Sequence, residues 1–280
     1  MAFEASPKSP VSERMTVPQE PTVSVVIPAM NEGSNLPHVF AELPPDLHQV
    51  ILVDGRSTDN TVSIARQLRK DVKIVHQTRK GKGNALACGF AAATGDIIVM
   101  LDADGSANPA EIPRFIDALR RGADFAKGSR FMKGGGSTDI SRLRRIGNYW
   151  LNKLVNILYG TCYSDLCYGY NAFWRDCLEV FDLDTSVLSG PGATMQWGDG
   201  FEVETLINVR IAKAGLSVAE VPSFERDRVH GTSNLNAFSD GFRVLRTIHT
   251  ERQRWRARSA QVSDSYATPL VTRAEGSLAP

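Results

Sequence analysis

Ile97-Ile98-Val99-Met100-Leu101-Asp102-Ala103-Asp104 is an apolar run of strand length that ends in two carboxylates. An unbroken apolar run, unlike an alternating one, marks a strand covered on both faces. The same pattern repeats outward on either side. Upstream, residues 23–27 read as a strand ended by Pro28, and residues 32–42 as a helix stopped by Pro44-Pro45. Residues 50–53 and 72–76 read as strands. Between them, Ser57-Thr58-Asp59 caps a helix over 60–69, and a further helix over 83–93 is ended by Thr94-Gly95. Downstream, a helix over 109–121 precedes a strand over 125–127. Such alternation predicts an α/β fold, a mostly parallel sheet flanked by helices. Ligands of such sheets sit outside the carboxyl ends of the strands, which puts Asn31, Glu32, Asp54, Asp102 and Asp104 on one rim.

The second half is less regular. Helices are expected over 140–159, 200–214 and 236–258, and a strand over 218–222. The chain begins with a proline-containing, unpatterned leader over 1–21 and closes with a small, polar tail over 259–280, both read as disordered. A main domain over 22–235 and a basic amphipathic helix over 236–258 remain.

The 280 residues carry 32 Lys and Arg against 31 Asp and Glu, a net charge of +1 that argues against a protein coating nucleic acid. No apolar run approaches the ~20 residues of a membrane-spanning helix. No secretory signal is visible at the start of the chain. The four cysteines, Cys88, Cys162, Cys167 and Cys177, have no zinc-ligand spacing and read as reduced thiols. A cytoplasmic location is expected.

Asp102 and Asp104 lie past the end of their strand, where both can converge on a hard cation such as Mg²⁺ or Mn²⁺. The same residues also suit a solvated turn before Gly105. Asp54, at the end of the second strand, can accept hydrogen bonds from a base or ribose, or act as a turn residue. Glu32 can grip a nucleoside or serve as a first-turn acid.

Taken together, Ile27-Pro28-Ala29-Met30-Asn31-Glu32, Val53–Asp59, Asp102-Ala103-Asp104 and Gly128-Ser129-Arg130 resemble the motifs of family 2 nucleotide-sugar glycosyltransferases with a Rossmann-like GT-A fold. Within that family the chain looks most like polyprenyl- or dolichyl-phosphate mannosyl- and glucosyltransferases. Lys80–Ala85 resembles their basic turn, Arg130–Gly135 their acceptor loop, and Arg228–Ser233 their late segment. The resemblance implies inverting hexose transfer from GDP-mannose or UDP-glucose to a polyprenyl phosphate at a membrane surface. It implies a nucleotide-sugar site at Pro28, Asn31, Glu32, Asp54, Lys82 and Asp102, and a metal on Asp102 and Asp104. Asp104, Arg130 and Glu204 are the catalytic candidates. The sequence departs from the family at Gly55, where a second aspartate is usual, and at Ser106, where many members carry glutamine.

A phosphate monoester is already largely ionised near neutral pH and needs cations more than a base. Arg130, Arg142, Arg145 and Arg228, with Ser233, are the candidates for holding it. A hydroxyl acceptor would instead require a general base, with Glu202 or Glu204 available. Trp150, Tyr149, Leu151 and Ile157 behind three arginines suit either an interfacial or a core helix. Residues 240–258 carry a net charge of +4 beside Phe238, Phe242, Leu245 and Trp255, which suits a membrane-surface helix. Transfer to a soluble hydroxyl compound or growing glycan, and non-catalytic binding of a sugar nucleotide, stay open. The oligomeric state is not indicated.

Overall fold

A computed structural model describes residues 18–187, 195–231 and 241–254. Most of the expected leader, the tail, Ser233, Phe238 and Trp255 lie outside them. Seven strands form one sheet: β1 (Val23–Ala29), β2 (Gln49–Asp54), β3 (Lys73–His76), β4 (Ile97–Met100), β5 (Phe125–Ser129), β7 (Asn171–Trp174) and β8 (Val218–Pro222). Their spatial order is β3-β2-β1-β4-β7-β5-β8. All run parallel except β7, which pairs antiparallel with both β4 and β5. Consecutive residues of β2 from Val50 to Asp54 and all four of β4 are buried, so both faces of the sheet are covered. Two further short strands, β6 (Gly136–Ser137) and β9 (Phe224–Glu225), pair with each other.

Pro28 does not end its strand, as the sequence suggested; β1 runs through it to Ala29. The hydrogen-bond ladder explains why. The Val26 carbonyl accepts from the Leu101 amide, on the β4 side, and the Ala29 carbonyl accepts from the Gly55 amide, on the β2 side. Alternate residues of a parallel strand face opposite neighbours. Pro28 therefore faces the β4 side, beyond the last β4 pairing at Val26, where a missing N–H breaks no ladder bond.

Helices shorten for equally local reasons. α1 is Leu36–Ala41, not 32–42. The Glu32 amide donates to Thr61 Oγ1 (2.9 Å) and the Gly33 amide to Asp59 Oδ2 (3.1 Å), so these residues are tied to the next loop. α2 (Thr61–Leu68) starts just beyond Asp59, whose Oδ1 accepts from the Thr61 amide at 3.0 Å. α3 is Lys82–Ala92. Pro109–Glu111 is a 3-10 turn leading into α4 (Ile112–Arg120). α5 (Arg142–Tyr159) is capped by Ser141, whose side chain accepts from the Arg144 amide. The sequence assigned nothing between 160 and 199, yet β7 and α6 (Leu178–Phe181) lie there. α7 is Val203–Ala214, starting after Glu202 Oε1 has accepted from the Gly198 and Gly200 amides. Of the expected 236–258 helix, residues 241–254 are helical and form α8.

α3 packs on β1, β2 and β3, and α4 on β5, β7 and β8. A second, smaller core of Val155, Tyr163, Leu166, Val209, Val244 and Ile248 joins α5, α7 and α8. α5 turns Val155 and three asparagines to its protein side and leaves several apolar residues outside. Asn148, Asn152 and Asn156, spaced by four, donate to Asp165 Oδ1, the Ser164 carbonyl and the Tyr163 carbonyl on its protein side. Ile146, Tyr149, Trp150 and Ile157 project outward, the last 80% exposed. α8 is anchored by its one acid. Glu251, 3% exposed, bonds Arg210 and Lys213 of α7 and the indole N–H of Trp197. Burial opposes its ionisation, but the Arg210 and Lys213 partners win and hold its carboxyl below the ordinary range.

The amino end of α3 meets another backbone. The Gly83 amide donates to the Asp199 carbonyl at 2.7 Å, and a Cβ on Gly83 would lie 1.8 Å from the Gly198 carbonyl oxygen. Arg79, almost wholly buried, fixes that crossing by a bidentate pair with Asp199 at 2.8 Å on both arms. The glycines of Lys80-Gly81-Lys82-Gly83 thus admit a second chain segment. None of the four cysteines forms a disulfide.

Two outcomes follow from these contacts. Gly83→Ala is expected to destabilise the protein by about 1–3 kcal/mol, read by denaturant unfolding, because the 198–199 backbone must retreat. Glu251→Gln leaves Arg210 and Lys213 without their counter-charge and is expected to cost about 3 kcal/mol. Because the Glu251 carboxyl is depressed on folding, its contribution is present above its ordinary value and is lost as pH falls through the lower, folded one. The stability gap between native protein and Glu251→Gln should therefore close in acid.

Candidate active site

The order in which the strands are added reverses between β1 and β4: β2 and β3 lie on one side of β1, and β4, parallel to it, on the other. At such a switch the loops after neighbouring strands diverge and leave a crevice. A cavity of about 1000 Å³ opens there, lined by Pro28, Ala29, Met30 and Glu32 from the β1 end and by Asp102, Asp104 and Ser106 from the β4 end.

The first two motif loops are stitched to each other. Asn31, at φ 59°, accepts through Oδ1 from the Thr58 amide (2.8 Å), and its own amide donates to Ser57 Oγ (3.0 Å). Asp54 is buried, accepting from the Ser57 amide at 3.1 Å and meeting His76 Nδ1 at 3.3 Å. Neither Asn31 nor Asp54 lines the cavity; Gly55, Arg56 and Gln77 line that end instead. A Cβ on Gly55 would sit 3.0 Å from that of Met30. The structure thus gives Asn31 and Asp54 the work of holding the loops on which Glu32 and Gly55 face the cavity.

Beyond β4, Asp104 Oδ1 accepts from the Ser106 amide at 2.9 Å, and Oδ2 pairs with Arg228 at 3.0 Å. Asp102 Oδ1 lies 2.7 Å from Lys82 Nζ, on the first turn of α3. The same ammonium lies 2.8 Å from Glu204 Oε1 on α7. Burial opposes the charge on Lys82, but Asp102 and Glu204 outweigh it and raise its pKa well above the ordinary lysine value. Burial pushes the Glu32 carboxyl up, and the charges of Asp104 and Asp102 add to this, against a 2.6 Å hydrogen bond from Asn35. The carboxylates Glu32, Asp102, Asp104 and Glu204 and the cations Lys82 and Arg228 therefore face one space, among other charged side chains that line it.

Gly169, just before β7, has no counterpart in the sequence reading. A Cβ there would lie 3.1 Å from Glu204 Oε1, 3.3 Å from Lys82 Nζ and 3.6 Å from Asp102 Oδ2. It leaves the room that the three charges occupy. Only its place in an unassigned aromatic stretch, Tyr168-Gly169-Tyr170, pointed to it.

The arginines sort differently from the sequence expectation. Arg142 and Arg145 are exposed and do not line the cavity, whereas Arg144 does. Helical geometry decides this: Ile140, Leu143, Arg144, Gly147 and Leu151 share the cavity-facing side of the α5 region, and positions 142 and 145 point away. Arg144 also pairs with Asp139 at 3.1 Å. Arg130 is buried, clamped bidentately by Asp165 (2.7 and 2.9 Å) and by Glu225 (3.0 Å). It lines the cavity while its guanidinium braces the loop after β5 through Asp165 and Glu225, which the sequence did not single out. Arg228 lines the cavity, as does Arg243 of α8. Ser233 lies outside the described residues.

The donor set tells which cation would fit. Among the described residues no three His, Cys, Asp or Glu side chains are grouped to hold a metal. Two oxygen donors on one rim suit a hard divalent cation completed by phosphate and water, not a closed protein cage. Beyond this rim the cavity acquires an apolar wall from Ile140, Leu143, Leu151 and Val244, between α5 and α8.

Comparison with known proteins agrees with this arrangement. Residues 24–181 match the family described as glycosyl transferase family 2. The polyprenol monophosphomannose synthase of Mycolicibacterium smegmatis is 33% identical over 223 residues, covering 76% of this chain and 80% of that protein. The dolichol-phosphate mannosyltransferase of Pyrococcus furiosus is 39% identical, covering 81% of this chain and 62% of that protein. The solved structure of glucosyl-3-phosphoglycerate synthase from Mycobacterium tuberculosis, in complex with Mn²⁺, UDP and glucosyl-3-phosphoglycerate, superposes with a TM-score of 0.62 at 24% identity. It covers 82% of this chain and 79% of that one. With its matched motif region, its relatives and its sheet all in agreement, this chain belongs to glycosyl transferase family 2 and has the GT-A fold.

Proposed function

We propose that this protein transfers a hexose from a nucleoside-diphosphate sugar to a polyprenyl phosphate, working peripherally on the cytoplasmic face of a membrane. The observation that carries the reading is one continuous cavity, charged at the β1–β4 crevice and apolar between α5 and α8. A sugar nucleotide and a lipid phosphate need those two environments side by side. The names of the relatives from Mycolicibacterium smegmatis and Pyrococcus furiosus support the lipid acceptor and a mannosyl donor.

Pro28, Glu32 and Gly55 line the end suited to the nucleoside, and Lys82 lies where a diphosphate would run. Asp102 and Asp104 would hold Mg²⁺ or Mn²⁺, which supplies Lewis-acid stabilisation of the departing diphosphate. Arg144, Arg228 and Arg243 line the same cavity as the carboxylates and the apolar wall, and guanidinium groups suit an acceptor phosphate. The acceptor phosphate oxygen attacks the anomeric carbon from the face opposite the leaving group. The bond from that carbon to the diphosphate oxygen breaks, and the diphosphate leaves with the electron pair, inverting the centre. No strong base is needed, because the phosphate monoester is already largely anionic near neutral pH. A hydroxyl acceptor would need one. Glu204 is held by Lys82, and Glu202 accepts from two backbone amides, which favours the phosphate.

The outward side of α5 supports membrane contact. Ile146, Tyr149, Trp150 and Ile157 are exposed beside Arg142 and Arg145, while its asparagines face inward. Apolar and aromatic side chains next to basic ones match the chemistry of an anionic bilayer surface. α8 adds exposed Phe242 and Leu245. No helix among the described residues is long and apolar enough to cross a membrane.

The reading is tested by offering GDP-mannose and UDP-glucose separately to purified protein with undecaprenyl phosphate and Mg²⁺ or Mn²⁺. Mass spectrometry should find a hexosyl-phosphoryl lipid from one donor; nucleotide binding without any product would point to a non-catalytic binder. Asp104→Asn should lower the rate by roughly 10²–10³-fold with an unchanged circular dichroism spectrum. Flotation with anionic vesicles should carry the native protein upward and leave Trp150→Ser/Ile157→Ser behind. Failure of the native protein to float would favour a soluble acceptor.

A further inference from the structure

The two carboxylates best placed for a divalent cation are already neutralised from within the chain. Asp102 is engaged by Lys82 at 2.7 Å and Asp104 by Arg228 at 3.0 Å. These contacts differ from surface ion pairs. Lys82 is largely buried, as are Asp104 and Glu204. Lys82 is also held from a second side by Glu204 at 2.8 Å. Gly169 keeps the space above the three groups clear.

We propose that Lys82 is an exchangeable counter-ion of the cation site. It occupies Asp102 while no donor is bound and moves to the diphosphate when a divalent cation takes Asp102, with Glu204 as the tether that keeps it in the site. Glu204 is then a positioning residue acting through Lys82. The inference rests on Asp102 and Asp104 being the cation ligands.

The physical argument is one of competing charges. A cation coordinated by a carboxylate sits about 2 Å from its oxygens, so an ammonium in contact with the same group must move or be repelled at close range. Among the described residues Glu204, 2.8 Å from the same ammonium, is the carboxylate that holds it besides Asp102. A bound diphosphate offers it a new anionic partner and adds oxygen ligands to the cation. Cation and nucleotide thus each make the other's entry easier, and such coupling is reciprocal. Arg228 has the same relation to Asp104.

The test is Mn²⁺ binding, followed by the electron paramagnetic resonance signal of free Mn²⁺, with and without GDP or UDP. For the native protein, Mn²⁺ should bind weakly alone and much more tightly with one of the nucleotides. Lys82→Met should bind Mn²⁺ alone roughly 10-fold more tightly than native protein. It should lose most of the nucleotide-dependent gain and bind the nucleotide itself more weakly. Lys82→Arg, which keeps the charge, should restore weak binding alone and the gain with nucleotide. A tightened site is not what a misfolded protein yields; Arg228→Met, expected to shift Mn²⁺ binding in the same direction, serves if Lys82→Met does not fold. Mn²⁺ affinity in the folded variants no higher than native, while the native protein binds Mn²⁺ with nucleotide, would overturn the exchange and leave the cation ligands standing. No Mn²⁺ binding by the native protein even with nucleotide would overturn both.

Discussion

Four carboxylates share one crevice, and the repulsion among them is the constraint to which much of this molecule answers. Glu32, Asp102, Asp104 and Glu204 come from the end of β1, the end of β4 and the start of α7, segments far apart in the chain. Brought together without cations they would oppose folding. Lys82 and Arg228 meet that demand from two more segments, so the charged crevice becomes a junction that ties the parallel half of the sheet to α7 and to the 226–231 loop. Asn35 extends the tie by donating to the His230 carbonyl and accepting from the His230 amide. The stability of the site and its capacity to accept a cation and a diphosphate therefore draw on the same contacts.

Close approach is the second theme around that crevice. The 198–199 backbone lies against the first turn of α3, so Gly83 has no space for a side chain, and Gly169 keeps a side chain away from Lys82. Arg79 and Asp199 lock the first of these crossings with a buried bidentate pair. Arg130, Asp165 and Glu225 do the same for the loop after β5. In both cases an arginine fixes one loop against another, and Arg130 is one that the sequence would offer to a ligand. Buried guanidinium groups are suited to this because their planar fork meets a carboxylate at two points.

The smaller core adds a different chemistry. α5 faces inward with asparagines that fasten it to residues 163–165, and α8 is held by the buried Glu251 as well as by Val244 and Ile248 in the core. Val155 of α5 enters the smaller core, while Ile146, Tyr149, Trp150 and Ile157 remain exposed on its outer side. The cavity opens between these two helices, and so the charged crevice and the apolar surface are neighbours.

Much of the architecture was legible in the linear chain. Continuous apolar runs of strand length force a doubly covered parallel sheet, and acids placed directly after such runs must lie on its carboxyl rim; Asp102, Asp104 and Glu32 are there for that reason. Local chemistry also sufficed for a helix beginning just after Asp59, whereas the apolar stretch of α5 suited either an interfacial or a core helix until the fold showed which residues face out. Tertiary structure alone decided the rest. β7 is four residues long and is specified by the gap between β4 and β5, not by its own pattern. Whether Arg144 or its neighbours face the cavity depends on the rotation of α5, which the asparagine contacts set. Whether Arg130 meets a ligand or a carboxylate depends on Asp165 and Glu225, 35 and 95 residues away. Sequence assigns a charge to each residue, but only the folded chain assigns it a partner, because ion pairs form between neighbours in space.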